Sequence, residues 1–493
     1  MYYKIKSNVI FRNYESFGYL TDNRNFRYKQ ANGNAIVIGD KIVSESGAVF
    51  ISFLDREPQT IDELAKRINS QYTNVEIEEI KNDALDFYST LENEGFIVSG
   101  KTIQECNKRD TKFSYKTFDL DKKKDLSSSL HLEKTSQDFL EEHFNGKPQL
   151  TNLHLEIVSE CNERCIHCYI PHAYKVSCIG SDMFYNILEQ CKNMRLLHIT
   201  LSGGEPMLHK NFCDFLKRCR EYNFSINVLS NLTLLNEEIV NEMKMNPLLS
   251  VQASLYSMDS NIHDGITQMK GSFKKTYNAI LKLIENDIPL QISCPIMKQN
   301  KTCYNDVLKW AKRLRIHAGD DYGLIARYDH TTQNLSCRLS IDEIKEVIKD
   351  KAKNDSEFLE QIKMEAEKKQ TKTINDVVCS VCHSSICITD NGNVYPCAGW
   401  QNYVVGSIKE NSLNEIWNNS EKINYLRTIR NQDFPRCIQC QDKNFCTMCM
   451  VKNANENSDG DPLVLNEFFC NIANLNRQIY FESKGKVKTR QFD

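Results

Sequence analysis

Three cysteines, Cys161, Cys165 and Cys168, stand together in the segment CNERCIHCY. Three thiolates on one short loop can ligate three irons of a cubane iron–sulfur cluster and leave the fourth iron without a protein ligand. An open iron can bind a small molecule and pass it an electron. Further along comes the glycine-rich turn Ser202-Gly203-Gly204-Glu205-Pro206. A second cysteine field closes the chain: Cys379 and Cys382, then Cys397 behind the turn GNVYP, then Cys437, Cys440, Cys446 and Cys449, and finally Cys470. Paired cysteines two residues apart also suit zinc, so a zinc site at the triplet and two zinc ribbons near the C-terminus are the competing reading. The combination argues for a multi-cluster redox enzyme.

Composition sets the context. The chain has 493 residues, 41% apolar and 26% charged, which is a globular make-up long enough for two to four domains. A net charge of −3 gives no signal for nucleic acid or for an anionic membrane surface. The opening MYYKIKSNVIFRNY has no apolar signal-peptide core, and no apolar run reaches the roughly 18 residues of a spanning helix. The expectation is a soluble cytoplasmic protein with no membrane and no nucleic-acid partner. In a reducing compartment, twenty cysteines point to metal ligation rather than to disulfides.

The elements that must position these cysteines follow from periodicity. Apolar, β-rich runs occur at 153–159, 196–202, 224–230, 249–255, 288–294 and 322–328, with helical patterns between them at 182–195, 236–245, 272–286 and 304–315. Six strand–helix alternations predict an α/β fold, a partial (β/α)6 TIM-like barrel with a parallel sheet. Function then sits at the C-terminal ends of the strands. The triplet follows the first strand, SGGEP the second, Ser230-Asn231 the third, and Ser254 lies near the end of the fourth. Cys294 ends the fifth and is expected to face the same mouth.

Residues 1–100 read as a small winged-helix-like domain: a hairpin from FGYLTD and NAIVIG, helices at 59–70 and 76–94, and a closing strand at 95–98. Residues 101–150 are a polar bridge with one helix near 135–144. The barrel takes 151–345, a charged helical connector 346–375, the cysteine field 376–480, and a basic tail 481–493.

The triplet with its following aromatic, Tyr169, together with GGEP on the next strand, resembles the radical SAM superfamily. That resemblance implies a 4Fe-4S cluster whose open iron chelates S-adenosyl-L-methionine (SAM), and one-electron cleavage to a 5′-deoxyadenosyl radical that abstracts a hydrogen atom. It implies that Glu205 accepts hydrogen bonds from the ammonium of SAM, that Gly203 and Gly204 let the backbone approach it closely, and that Ser202 and Pro206 complete this turn. It further implies ribose or carboxylate contacts from Ser230, Asn231 and Ser254, and an adenine contact from Tyr169. His263-Asp264 resembles a family segment near the cofactor, although a structural histidine is the simpler reading.

The C-terminal field resembles the SPASM extension of radical SAM peptide and protein maturases, which carries two auxiliary clusters. By that resemblance Cys379, Cys382, Cys397 and Cys449 hold one and Cys437, Cys440, Cys446 and Cys470 the other, giving three 4Fe-4S clusters in all. The chain departs from the family in placing only two residues between Cys446 and Cys449, in the closeness of Cys379 to Cys382, and in a ninth cysteine, Cys387, read as a buried structural thiol. The remaining cysteines show no ligand spacing and read as small hydrophobes.

Many maturases of ribosomally made peptides begin with a winged-helix element that binds the precursor's leader as an added strand. Residues 1–100 resemble it, and the segment Asn34 to Val43 is the expected pairing edge. The resemblance implies a precursor peptide with a leader as partner, a reduced flavodoxin or ferredoxin-type electron donor, and oxidative formation of an intrapeptide cysteine thioether. Epimerisation, with Cys294 as hydrogen donor, carbon–carbon crosslinking and sulfatase-type formylglycine formation stay open as alternatives.

Overall fold

A computed structural model describes residues 1–22, 39–110, 136–367 and 373–484. Residues 34–38 of the expected pairing edge, much of the bridge and the end of the tail lie outside these.

The chain opens with β1 (Tyr2–Ile5), β2 (Ile10–Asn13), β3 (Gly18–Thr21), β4 (Asp40–Val43), β5 (Gln59–Thr60) and β6 (Ile97–Gly100). They form two three-stranded antiparallel sheets, ordered β5-β1-β6 and β2-β3-β4. Thr60 and Glu63 make a reciprocal capping box that starts the helix Ile61–Asn69, and a helix at Ile77–Asn93 packs beside it around Leu64, Ile68, Ala84, Tyr88 and Leu91. Strand β4 pairs with β3 alone, so its outer edge carries no strand among the described residues.

This unit docks through a greasy contact and a buried cation. Ile10, Tyr14, Phe17 and Tyr19 pack with Leu140, Leu197 and Leu248. Arg12 donates to the carbonyls of Leu196 at 2.7 Å and Asn223 at 2.9 Å, and the Tyr14 hydroxyl to that of Arg195 at 3.1 Å.

The central sheet continues with β7 (Asn152–Val158), β8 (His198–Gly203), β9 (Ser225–Ser230), β10 (Leu249–Ser254), β11 (Leu290–Pro295) and β12 (His317–Asp321), all parallel in that spatial order. Residues 195–197, 223 and 248 immediately precede β8, β9 and β10. The N-terminal unit therefore sits at the face opposite the strand C-termini. Alternation along each strand separates two environments. Leu153, Leu155, Ile157, Ile199, Leu201, Val251 and Ile292 join the large apolar core beneath the helices. His154, Glu156, Ser202, Gln252, Ser254 and Ser293 alternate with them on the other side of the pleat.

Two features differ from the sequence expectation. The sixth strand is His317–Asp321, not 322–328. It pairs with β11 from Gln291↔His317 to Pro295↔Asp321 despite its polar composition. The apolar run after it leaves the sheet instead: Leu324 packs with Tyr256, Ile266 and Met297, and the Tyr328 N–H donates to the Tyr169 carbonyl at 3.3 Å. The second difference is continuity. Strand β13 (Ser385–Ile388) pairs parallel with β7, and β14 (Asn393–Tyr395) and β15 (Gly406–Ser407) extend it, giving one nine-stranded sheet through barrel and cysteine field. The charged connector is two helices, Ile341–Asn354 and Ser356–Glu367. Among the described residues no helix is long and apolar enough to cross a membrane.

Candidate cluster-binding site

The triplet loop leaves β7 and is pinned from several sides. The Ser159 N–H reaches Asp390 Oδ2 at 3.1 Å and the Ser177 carbonyl at 2.8 Å. Arg164 and Ile166 donate their N–H groups to the carbonyls of Thr267 and Ile266, both at 3.0 Å, where the helix Ser260–Thr267 ends. These bonds satisfy carbonyls that a helix terminus otherwise leaves open. Burial raises the Cys161 thiol to about 11 and pushes Cys165 well up, and Cys165 lies within electrostatic reach of Cys161 and Cys168. Metal ligation must displace those protons.

The two glycines let the turn pack closely on the cysteine loop. Gly203 has φ +133°, and a Cβ there would stand 1.9 Å from the Val158 carbonyl oxygen; one on Gly204 would stand 2.0 Å from that of Glu160. The Gly204 and Glu205 N–H groups donate to the same two carbonyls at 2.7 and 2.9 Å. Their lack of side chains thus lets the turn close onto the entry of the cysteine loop. Gly204→Ala is therefore expected to lower the iron retained after anaerobic reconstitution severalfold while far-UV circular dichroism stays unchanged. Iron and sulfide quantitation checks this.

Glu205 is fully buried and already engaged. Its Oε1 accepts from the Met207 N–H at 3.1 Å and from Ser230 Oγ at 2.8 Å, and its Oε2 from the Asn231 N–H at 2.8 Å. Burial holds its carboxyl up at about 7 against those three bonds. Glu205 and Ser230 thus brace the ends of β8 and β9. Asn231 donates to Asn162 Oδ1 at 2.9 Å, and Asn162 to Thr233 Oγ1 at 2.6 Å, which carries the brace into the triplet loop. Ser202 turns into the barrel interior and pairs with His154 Nε2, and Pro206 opens a short 3-10 turn.

Tyr169 donates from its hydroxyl to Glu156 Oε1 at 3.3 Å and stands within electrostatic reach of Cys168, Cys387 and Cys397, so it lies toward the C-terminal cysteines. Ser254, opposite Ser293 in register, bonds the Tyr256 hydroxyl. That hydroxyl stands 3.4 Å from His167 Nε2 and 4.0 Å from Cys165 Sγ. Sequence reasoning missed Tyr256, His167 and Glu163. His167 and Glu163 lie inside the triplet itself; nothing in the sequence singles out Tyr256. Glu163 is buried, its Oε2 accepts from Cys165 Sγ at 3.4 Å, and its Oε1 has no partner among the described residues.

Cys294 does not face the mouth. It is fully buried in the apolar core, on the pleat opposite Ser293, with its sulfur 3.8 Å from the Tyr256 carbonyl. The strand's alternation turns it toward the helices. His263 is likewise buried and rings with Tyr256 and Phe273. Asp264 accepts from the Phe273 N–H at 2.8 Å.

In the C-terminal field, Cys379, Cys397 and Cys449 lie within electrostatic reach of one another, with Cys382 in reach of Cys379 and Cys397, and Cys437, Cys440, Cys446 and Cys470 form a second such group. Cys387 is buried beside Cys397 and Glu156. A mononuclear zinc ion needs its donors about 2.0–2.3 Å from one point. Among the described residues, no three His, Cys, Asp or Glu side chains converge on one metal ion in that way. The donor set at the triplet is three thiols with a partnerless carboxylate oxygen beside them, which fits a cluster with one open corner and a cationic ligand.

Comparison with known proteins decides the class. Residues 155–311 match the radical SAM superfamily, and residues 379–442 match the SPASM iron–sulfur cluster-binding domain. The chain carries a radical SAM domain joined to a SPASM domain. It is an enzyme of the radical SAM class, built to use iron–sulfur clusters and SAM. Residues 42–97 match coenzyme PQQ synthesis protein D, within the unit that carries β4. The radical SAM and SPASM regions have relatives in Bacillus subtilis. The antilisterial bacteriocin subtilosin biosynthesis protein AlbA is 24% identical over 64% of this chain and 70% of its own. The sporulation killing factor maturation protein SkfB is 30% identical over 31% of this chain and 38% of its own. The crystal structure of Streptococcus suis SuiB bound to precursor peptide SuiA superposes with a TM-score of 0.58 at 13% identity, covering 94% of this chain and 98% of that one. This likeness shows a shared fold from the N-terminal unit through the radical SAM and SPASM domains.

Proposed function

We propose that the protein is a cytoplasmic maturase that oxidatively modifies a ribosomally synthesised precursor peptide, and that the product is an intrapeptide cysteine thioether. One observation carries the peptide part: a unit similar to coenzyme PQQ synthesis protein D, whose β4 outer edge carries no strand among the described residues, is packed onto a radical SAM barrel. Relatives named for bacteriocin and killing-factor maturation, and a SuiB structure holding its precursor peptide, support it. The thioether rests on the likeness to AlbA and SkfB.

In this reading Cys161, Cys165 and Cys168 hold the cluster that binds SAM, and the two cysteine quartets hold two auxiliary clusters. When bound, these groups supply electron transfer and a carbon radical able to remove a hydrogen atom. The chain's own part is positional. Glu205, Ser230, Asn231 and Asn162 fix the loops around the triplet, Tyr256 and His167 line it, and buried Leu324 and Ala326 help keep water out. A reduced flavodoxin or ferredoxin-type protein supplies the electron.

The leader pairs with β4, on the face away from the triplet. The peptide must then cover the barrel's height, about 20 Å for a six-residue strand. The test is mass spectrometry of a precursor peptide encoded beside this gene, after anaerobic incubation with reduced enzyme and SAM. The expected product has lost two hydrogens per crosslink and resists thiol alkylation at the cysteine involved. Loss of two hydrogens with that cysteine still alkylated contradicts the thioether and leaves carbon–carbon crosslinking.

A further inference from the structure

Arg427 is a half-buried cation of the cysteine field that the proposed chemistry leaves unused. It stands in the helix Glu421–Thr428, and its Nε donates to the Cys382 carbonyl at 2.7 Å. Cys382 is fully buried and left-handed, at φ +59°, a region that residues other than glycine seldom adopt. The turn that holds it is tight. The Cys382 N–H donates to the Ser385 carbonyl at 2.9 Å, and the His383 and Ser384 N–H groups donate to that of Ser380, both at 3.0 Å. The guanidinium carbon lies over the buried Trp417 ring, 4.3 Å from its centroid, which fixes the fork from the other side.

The fork carries more donors than this turn uses. Nη1 reaches Asn424 Oδ1 at 3.4 Å. Nη2 is buried and has no hydrogen-bond partner among the described residues. Nε and Nη2 share one edge of the planar guanidinium, so the unpartnered donor points to the same side as the bond to Cys382. Ser384 Oγ, two residues past Cys382, is buried and unpartnered among the described residues too. A buried donor left unpaired is costly, and native structures hold few of them. Two in and against one cysteine turn mark the place of an acceptor. The fork binds neutral oxygens only, so its charge is also unanswered. A cubane held by four thiolates meets both needs: it is anionic, its sulfurs accept hydrogen bonds, and it gains a further negative charge on reduction.

We infer that Arg427 is the fixed counter-charge of the auxiliary cluster held by Cys379, Cys382, Cys397 and Cys449, and that it raises that cluster's reduction potential. A fixed positive charge favours the reduced state over the oxidised one. Net charge and hydrogen bonds to the sulfurs are among the levers that set cluster potentials. The inference rests on this quartet holding a cluster and is independent of the peptide product.

The test is a redox titration of full-length reconstituted enzyme, read by electron paramagnetic resonance with and without SAM. The auxiliary clusters give the signals that SAM leaves unchanged. Arg427→Gln is expected to shift the one-electron equilibrium of one such cluster about tenfold toward the oxidised state, about 59 mV, and to leave the other in place. Arg427→Lys, which keeps the charge, should restore most of the wild-type value. The titration reads the loaded fraction, so partial loss of iron does not obscure it. If Arg427→Gln assembles no such cluster, Asn424→Asp is titrated in its place. It sets a carboxylate against Nη1, leaves the bond to Cys382 intact, and should move the same potential in the same direction. Unchanged potentials overturn the inference and make Arg427 a pin for the Cys382 turn. A shift of both auxiliary potentials together overturns it as well. A wild-type protein with no SAM-insensitive cluster signal overturns the auxiliary-cluster assignment instead.

Discussion

Cys165→Ala abolishes 5′-deoxyadenosine formation and leaves the chain folded. Cys165 is the central thiol of the triplet, with Glu163 Oε2 3.4 Å from its sulfur and the Tyr256 hydroxyl 4.0 Å away. Removing it leaves two thiolates for a cluster that needs three, so the open-iron cluster is lost rather than weakened. Its fold contribution is small. The residue lies on a loop outside the main apolar core, and the loop's anchors, the Arg164 and Ile166 N–H bonds to the helix end, are backbone bonds that alanine keeps. A stability change within about 1 kcal/mol is expected. The measurement is chromatography of deoxyadenosine from reconstituted protein with dithionite and SAM, beside a thermal melt. Wild-type turnover by the variant contradicts the cluster assignment.

The second large effect lies in the peptide. Deleting residues 1–100 is expected to cripple peptide modification while leaving uncoupled SAM cleavage, but that deletion also strips the cover from Leu197 and Leu248 and the Arg12 bonds from the barrel. Removing the leader from the substrate tests the same claim on intact enzyme. Strand β4 is four residues long, Asp40–Val43. Such an edge offers roughly four backbone groups to a docking strand, each worth about 1 kcal/mol net. Losing about 3–4 kcal/mol lowers kcat/KM by roughly 10²- to 10³-fold. Leaderless core peptide should be modified that much more slowly, while deoxyadenosine still forms. Equal kcat/KM for both peptides removes the leader-docking claim.

Much of this organisation is legible in the sequence because period and spacing are local signals. Five of the six barrel strands, the helices Ser181–Asn193, Glu237–Met245, Ser272–Glu285 and Tyr304–Arg313 and both cysteine fields follow from alternation and from Cys-x2-Cys spacing, while the helix Phe212–Glu221 after β8 is not read from them. The sixth strand is not legible. HAGDD pairs with β11 through its backbone despite its polar composition, while the apolar run beside it is apolar because it covers the mouth. The union of barrel and cysteine field into one sheet depends on β13 meeting β7 across more than two hundred residues of chain, which no local pattern encodes. At the site, GGEP is visible as a motif, but its use is not. Only the approach of Gly204 to Glu160 and the three bonds to Glu205 reveal a brace. Cys294 shows the reverse error. Its place at a strand end suggests the mouth, but which face of the pleat it occupies is fixed by register, and register turns it into the core.

The measurement that tests the central claim most directly is isotope transfer. A precursor peptide with every carbon-bound hydrogen replaced by deuterium is incubated anaerobically with reduced enzyme and unlabelled SAM, and the mass of the deoxyadenosine formed is recorded. Radical modification of the peptide predicts deoxyadenosine carrying one deuterium, in step with crosslinked product. Deoxyadenosine that carries none while the peptide is modified contradicts hydrogen abstraction from the peptide.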